Sequence, residues 1–151
     1  MLRSAPRAKP HPGCALCAAD GGVLLVRRPQ LRVVLVEDAD YPAYLRVIWN
    51  MHVREMSDLP EPDRARLWAA VHVVETALRE LLTPDKVNLA SLGNQVPHLH
   101  WHLIARFTDD AHFPHPIWGT RQRDPSAARL MVCRQALPAL TARIIELLPA
   151  R

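Results

Sequence analysis

Apolar positions follow two rhythms along this chain. Val23-Leu24-Leu25-Val26, Leu31 to Val36 and Tyr44 to Trp49 are short runs rich in valine and other apolar residues. Asp20-Gly21-Gly22, Pro29-Gln30 and Asp40-Tyr41-Pro42 bound them. Short apolar runs between turn residues predict strands. Val87 to Leu92 and His98 to Phe107 predict two more. Between these groups the period changes. From about Glu61 to Leu82, Leu67, Trp68, Val71, Val74, Leu78, Leu81 and Leu82 recur at helical spacing. Asp58 and Pro60-Glu61-Pro62-Asp63 supply a start, since proline is tolerated in a first turn and acidic groups suit the positive helix end. Thr83-Pro84 supplies a stop. A second helix is expected from about Ala136 to Leu148, with Leu137, Leu140, Ile144, Leu147 and Leu148 on one face and Pro138 in the first turn. Strands, helix, strands, helix is an α+β order: an antiparallel sheet with a central and a C-terminal helix.

Length changes this picture little: 151 residues fit one domain with a real core. Pro6, Pro10 and Pro12 in a basic stretch mark residues 1–13 as a flexible leader, leaving 14–151 as a single domain. Formal net charge is +4, with Arg3, Arg7, Lys9, Arg143 and Arg151 at the ends. No long basic run is present, so nucleic acid is not indicated as the main partner. A mild positive balance still favours anionic small molecules. No stretch has the length and apolarity of a membrane span or of a signal-peptide core, and a cytoplasmic protein is expected. Cys14, Cys17 and Cys133 do not make a disulfide framework, but Cys14-Ala-Leu-Cys17 is a close pair that raises metal or redox chemistry.

The densest chemistry is His98-Leu99-His100-Trp101-His102. On a strand, alternate residues share a face. The three imidazoles therefore fall on one side, with Leu99, Trp101 and Leu103 on the other, facing the core. Three imidazoles in a row are costly to bury without partners. Imidazole is nucleophilic near neutral pH, with an unperturbed pKa of about 6.5. Attack on phosphorus, a neighbouring imidazole serving the leaving group and a third fixing orientation would use all three. A metal site is the competing reading, because histidines at i and i+2 on a strand are common zinc ligands. A polar sheet face with incidental histidines is the third.

His98-Leu99-His100-Trp101-His102-Leu103-Ile104 resembles the signature of the histidine triad (HIT) family, in which histidines alternate with apolar residues. Val47-Ile48-Trp49-Asn50-Met51-His52 is similar to the family strand ending Pro-Lys-x-His, with Trp-Asn-Met replacing Pro-Lys-x. Asp58-Leu59 and the following helix match its central helix, so the likeness covers about Cys14 to Arg106. It implies nucleotidyl hydrolase or transferase activity at an α-phosphate, on dinucleoside polyphosphates or nucleoside phosphoramidates, in a homodimer whose sheet continues across the interface. His100 becomes the expected nucleophile, His102 the contact to phosphate and leaving group, and His98 the support. Asn50 and His52 fall where the family approaches nucleotide or metal. The segment before the triad departs from the family's Gly-Gln-x-Val-x-His ending. Gly93, Val96 and His98 match, Asn94 replaces Gln and the preceding loop is shortened. Gly93, Asn94 and Gln95 still offer amide donors to phosphate oxygens. Some branches bind structural zinc through a cysteine pair and two histidines, which maps to Cys14, Cys17, His52 and His98. No organic cofactor is implied.

Other positions read as structural. His72 lies beside the helix stripe and is expected to pack. His112 and His115, in a Pro-aromatic loop, are expected to be exposed. Trp49 is expected in the core, and Trp118 is open to stacking on a base. Two rivals to the enzyme remain: a nucleotide-binding regulatory module with little catalysis, and a zinc-dependent hydrolase with the triad as ligands.

Overall fold

The computed structural model describes residues 10–150. Most of the expected leader, residues 1–9, lies outside them. Five strands, β1 (Val23–Arg27), β2 (Leu31–Leu35), β3 (Tyr44–Trp49), β4 (Lys86–Ala90) and β5 (His100–Arg106), form one sheet in the order β1-β2-β3-β5-β4. Every neighbouring pair is antiparallel. One face is apolar. Leu31, Val33, Leu45, Val47, Trp49, Leu103 and Ala105 are buried there beneath α2 (Glu61–Leu82) and α3 (Ala127–Leu147). The α+β expectation holds. So does the core placement of Trp49, at 2% exposure.

Helix α2 begins and ends where its sequence says. Pro60 is the N-cap, Pro62 stands in the first turn with Glu61 and Asp63, and Thr83 ends the helix in the left-handed region at φ 44°. Thr83 is β-branched, so this conformation is costly for it. Leu67, Val71, Val74, Leu78 and Leu82 are buried along the stripe. Trp68 is not part of that core. It is 48% exposed and its ring packs on Trp101, with centroids 4.8 Å apart. His72, expected to pack, is exposed.

Two boundaries differ from expectation. Helix α3 starts at Ala127 rather than Ala136, capped by Ser126, whose side chain accepts from the Arg129 N–H. Pro138 therefore sits inside the helix, where it removes one backbone donor. The early turns bury only Cys133, while Met131 and Val132 stay exposed. That half of the helix has no apolar stripe to read. Strand β5 starts at His100 rather than His98. The His98 N–H turns back to the Val96 carbonyl at 2.8 Å, and the ladder resumes through Leu99, bonded to Val53 and Trp49.

The opposite face of the sheet is polar and only partly covered. Register places Ile48 opposite His100 and Arg46 opposite His102. At one end a short helix, α1 (Ala15–Ala18), packs Leu16 against Val34 and Ile48. Gly21, at φ 84°, passes so close that a Cβ there would meet Leu16 at 2.5 Å and Ile48 at 2.9 Å. At the other end the loop after β5 brings Ile117 onto Tyr41, Tyr44 and Ile104. The triad face lies between.

Candidate active site

Each histidine of the triad has a different partner, and the partners decide where the protons sit. His100 Nδ1 lies 2.5 Å from the His98 carbonyl. A carbonyl only accepts, so Nδ1 carries the proton and Nε2 keeps its lone pair. His102 is the reverse. The Tyr44 hydroxyl lies 2.6 Å from its Nδ1, and Arg46 Nε–H points to the same atom at 3.5 Å. Arginine has no acceptor, so Nδ1 is the lone pair and Nε2 carries the proton. A lone pair and an N–H therefore sit side by side, on rings 4.9 Å apart. His98 Nε2 lies 2.6 Å from the Trp49 carbonyl and donates to it, which leaves His98 Nδ1 as an acceptor.

As residues, His98, His100 and His102 are 0%, 7% and 5% exposed. Burial disfavours the imidazolium. It pushes His102 down to about 4, helped by His100 and Arg46. It also lowers His100, against the hydrogen bond to His98, with Arg46 adding to the fall. At neutral pH these two imidazoles are uncharged.

His98 turns its free nitrogen to a second cluster. Its Nδ1 is 3.4 Å from Cys14 Sγ and 3.5 Å from Cys17 Sγ, and Cys17 Sγ is 3.5 Å from His52 Nδ1. All four ligand atoms lie within 4.8 Å of one another. A tetrahedral ion with bonds of about 2.3 Å to sulfur and about 2.0 Å to nitrogen separates such ligands by about 3.5 Å. The donor set and its spacing fit zinc. The Trp49 carbonyl on the far nitrogen of His98 is the outer partner that orients a ligating imidazole. The His11 ring stacks on His52 at 4.4 Å, so the described end of the leader covers this cluster.

Arg32 explains how the cysteines are held. Its guanidinium, 3% exposed as a residue, donates to the carbonyls of Leu16, Ala19 and Asp20 and to Asn50 Oδ1. Asn50 in turn donates to the carbonyls of Arg28 and Pro29. Its amide is thus engaged with the β1–β2 turn and Arg32. Gly93, at φ 71°, begins the loop into the triad, and Asn94 and Gln95 there are exposed.

Beyond β5 a buried pair organises the other rim. Arg106 Nε lies 2.6 Å from Asp110, and both side chains are nearly inaccessible. Asp110 also accepts from the N–H groups of Phe107, His112 and Phe113 and from the Tyr41 hydroxyl. Burial alone would raise its pKa, but Arg106 and the backbone donors of His112, Phe107 and Phe113 bring it to about 2. This loop sets Trp118 edge-on to His102, with centroids 5.0 Å apart and the indole half exposed. His115 is exposed as expected. His112 is not: it is half-buried, with Nδ1 2.8 Å from Tyr41 Oη.

Tyr44, Arg46, Arg32 and Asp110 are absent from the expected site. For the arginines a signal was present. Arg32 in Leu31-Arg32-Val33 and Arg46 in Leu45-Arg46-Val47 are charges inside otherwise apolar strands. Such a residue must point to a face that uses it.

A five-stranded antiparallel sheet, helices on one face and an alternating histidine motif on the other define a triad fold. The HIT domain family model matches residues 21–109. A histidine triad protein from Bradyrhizobium japonicum is similar over 95% of this chain and 100% of its own, at 30% identity and TM-score 0.71. Another, from Marinobacter aquaeolei, covers 88% of this chain and 92% of its own, at 28% identity and TM-score 0.67. A Zn-bound histidine triad family protein from Mycobacterium smegmatis shares the fold at 20% identity and TM-score 0.57, over 86% of this chain and 96% of its own. The curated proteins compared with the chain yield no match. The chain belongs to the HIT domain family.

Proposed function

We propose that this protein is a nucleotidyl hydrolase or transferase that works through a covalent nucleotidyl-histidine on His100. The opposed tautomers of His100 and His102 carry the reading. His100 Nε2 offers a lone pair to the α-phosphorus of a nucleotide substrate. The bond to the leaving group breaks and its electrons go with the leaving atom. His102 Nε2–H donates a hydrogen bond there. Water then attacks phosphorus, the phosphorus–nitrogen bond breaks, His100 recovers its lone pair and one proton passes to solvent. Candidate substrates are dinucleoside polyphosphates and nucleoside phosphoramidates. The loop of Gly93, Asn94 and Gln95, just ahead of the triad in the chain, offers amide donors for phosphate oxygens. Trp118 offers a stacking surface for a base. Replacing His100 by Ala should abolish turnover, and mass spectrometry of quenched wild type should show a nucleotidyl adduct on His100. Full activity in that variant removes the assignment.

Cys14, Cys17, His52 and His98 are the residues that would hold structural zinc, which would cross-link the N-terminal segment to the sheet. Zinc there leaves His100 and His102 free for substrate. This favours the covalent reading over a hydrolase with the triad as ligands. A second copy of the chain is the expected partner. Strand β4 is a sheet edge with Leu89 on it and Leu92 beyond it, both exposed. Sedimentation should give a dimer, and a monomer at micromolar concentration removes that part.

A further inference from the structure

Arg46 orients His102, but the covalent chemistry above makes no use of its charge. It projects from β3 onto the triad face, in register with His102. Its guanidinium has five N–H groups. Nε–H points at His102 Nδ1, and Nη1 donates to the Gly21 carbonyl at 3.1 Å. These contacts hold the head in place and leave three N–H groups for something else. Among the described residues no carboxylate forms a salt bridge with it. Every neighbour that fixes it is neutral, and the residue is only half-buried. A pre-oriented, unpaired guanidinium beside a phosphorus-directed nucleophile is an anion site.

Its position says which anion. Along β5 the nucleophile is His100, and Arg46 lies one pair further on, level with His102. The covalent reading puts the leaving group beside His102. Resting on the covalent reading of His100, we propose that Arg46 binds the leaving group and selects substrates whose leaving group is itself a phosphate anion.

The proton inventory of the site agrees. His102 Nδ1 faces two donors, so a second proton on that ring would oppose the Arg46 N–H. His102 then gives a hydrogen bond from Nε2 but is a poor source of a whole proton near neutrality. An amine leaving from a phosphoramidate needs that proton. A phosphate leaving from an anhydride does not. In the balanced step, neutral His100 forms its bond to phosphorus, the phosphorus–oxygen bond breaks with its electron pair, and the leaving oxygen departs as an anion at His102 Nε2–H, with the further phosphates of that group reaching Arg46. No proton moves until water resolves the adduct.

Two substrates that transfer the same adenylyl group test this: diadenosine tetraphosphate and adenosine 5′-phosphoramidate. In the full-length chain, Arg46→Met should lower kcat/KM for the tetraphosphate by about tenfold to a hundredfold, the range of a lost charge-assisted contact. The phosphoramidate value should not fall with it, since that leaving group offers no anion to the contact and loss of the Arg46 N–H frees His102 Nδ1 to take the proton an amine needs. Arg46→Lys should recover part of the loss, keeping the charge without the planar fork. Equal losses on both substrates, or no loss on either, overturn the proposal. Calorimetry with inorganic pyrophosphate gives a readout independent of turnover. If His100→Ala keeps activity, the covalent reading fails, while pyrophosphate binding lost in Arg46→Met still supports an anion site. Pyrophosphate binding unchanged in that variant, or absent from wild type, overturns it. Thermal unfolding of both variants identifies any loss that is only misfolding.

Discussion

His102 ties the chemistry of the site to the stability of the chain. Its ring is buried and its pKa falls to about 4, so the folded protein holds it neutral where an unfolded chain would protonate it. Between about 6.5 and 4 the unfolded state binds more protons, so stability is full above that window and is lost as pH falls through it. The gap between 6.5 and about 4 corresponds to about 3 kcal/mol. Urea unfolding at pH 7 and pH 4 should show this loss in wild type and a smaller one in His102→Gln. Equal acid sensitivity in the two proteins would remove His102 from the account. The alternation of the triad was plain in the sequence, and so was the strand face of His100 and His102, whereas His98 falls just before the strand. Which nitrogen of each ring holds the proton was not plain. That depends on the His98 carbonyl, Tyr44 and the Trp49 carbonyl, which come from turns and pairings that no local pattern encodes.

At the scale of elements, strands β1 to β4 and helix α2 followed their hydrophobic rhythm to within a few residues, because turn residues bound the strands and the buried positions of α2 recur at helical spacing. Helix α3 was legible only in its second half, where Leu140 and Ile144 are buried. The segment between β5 and α3 was legible as a Pro-aromatic loop, but its internal order was not. Its order comes from one carboxylate, Asp110, collecting Arg106, Tyr41 and three backbone N–H groups. Such a node is specified by tertiary contact rather than by spacing. Asp110→Asn leaves a buried arginine unmatched and should cost about 3 kcal/mol or more. Chemical denaturation measures that cost. Because the same loop carries Trp118 to His102, the tryptophan fluorescence of the folded variant should shift as well. A variant as stable as wild type would show that the node is dispensable.

Across the whole molecule, the N-terminal segment, the end of β3 and the start of the triad meet at Cys14, Cys17, His52 and His98, far apart in sequence. The pairing of these four was legible through family resemblance. Their mutual distances, and the Arg32 clamp on the α1 carbonyls, were not. Purified protein should carry about one zinc per chain. Chelation should lower the unfolding temperature, and Cys17→Ser should do the same without added chelator. A stable, metal-free preparation with an unaltered transition overturns the zinc assignment.

One peptide unit gives that cluster a longer reach. The ring of His98 faces the cysteines, and its carbonyl holds the proton of His100. Orientation of the nucleophile is therefore inherited through the backbone of its neighbour. A lesion at residue 14 or 17 can silence residue 100 while every group that touches substrate remains chemically intact. A random screen for inactive but nucleotide-retaining variants would accordingly return substitutions in the N-terminal segment, and these would be read as remote only by someone counting along the chain.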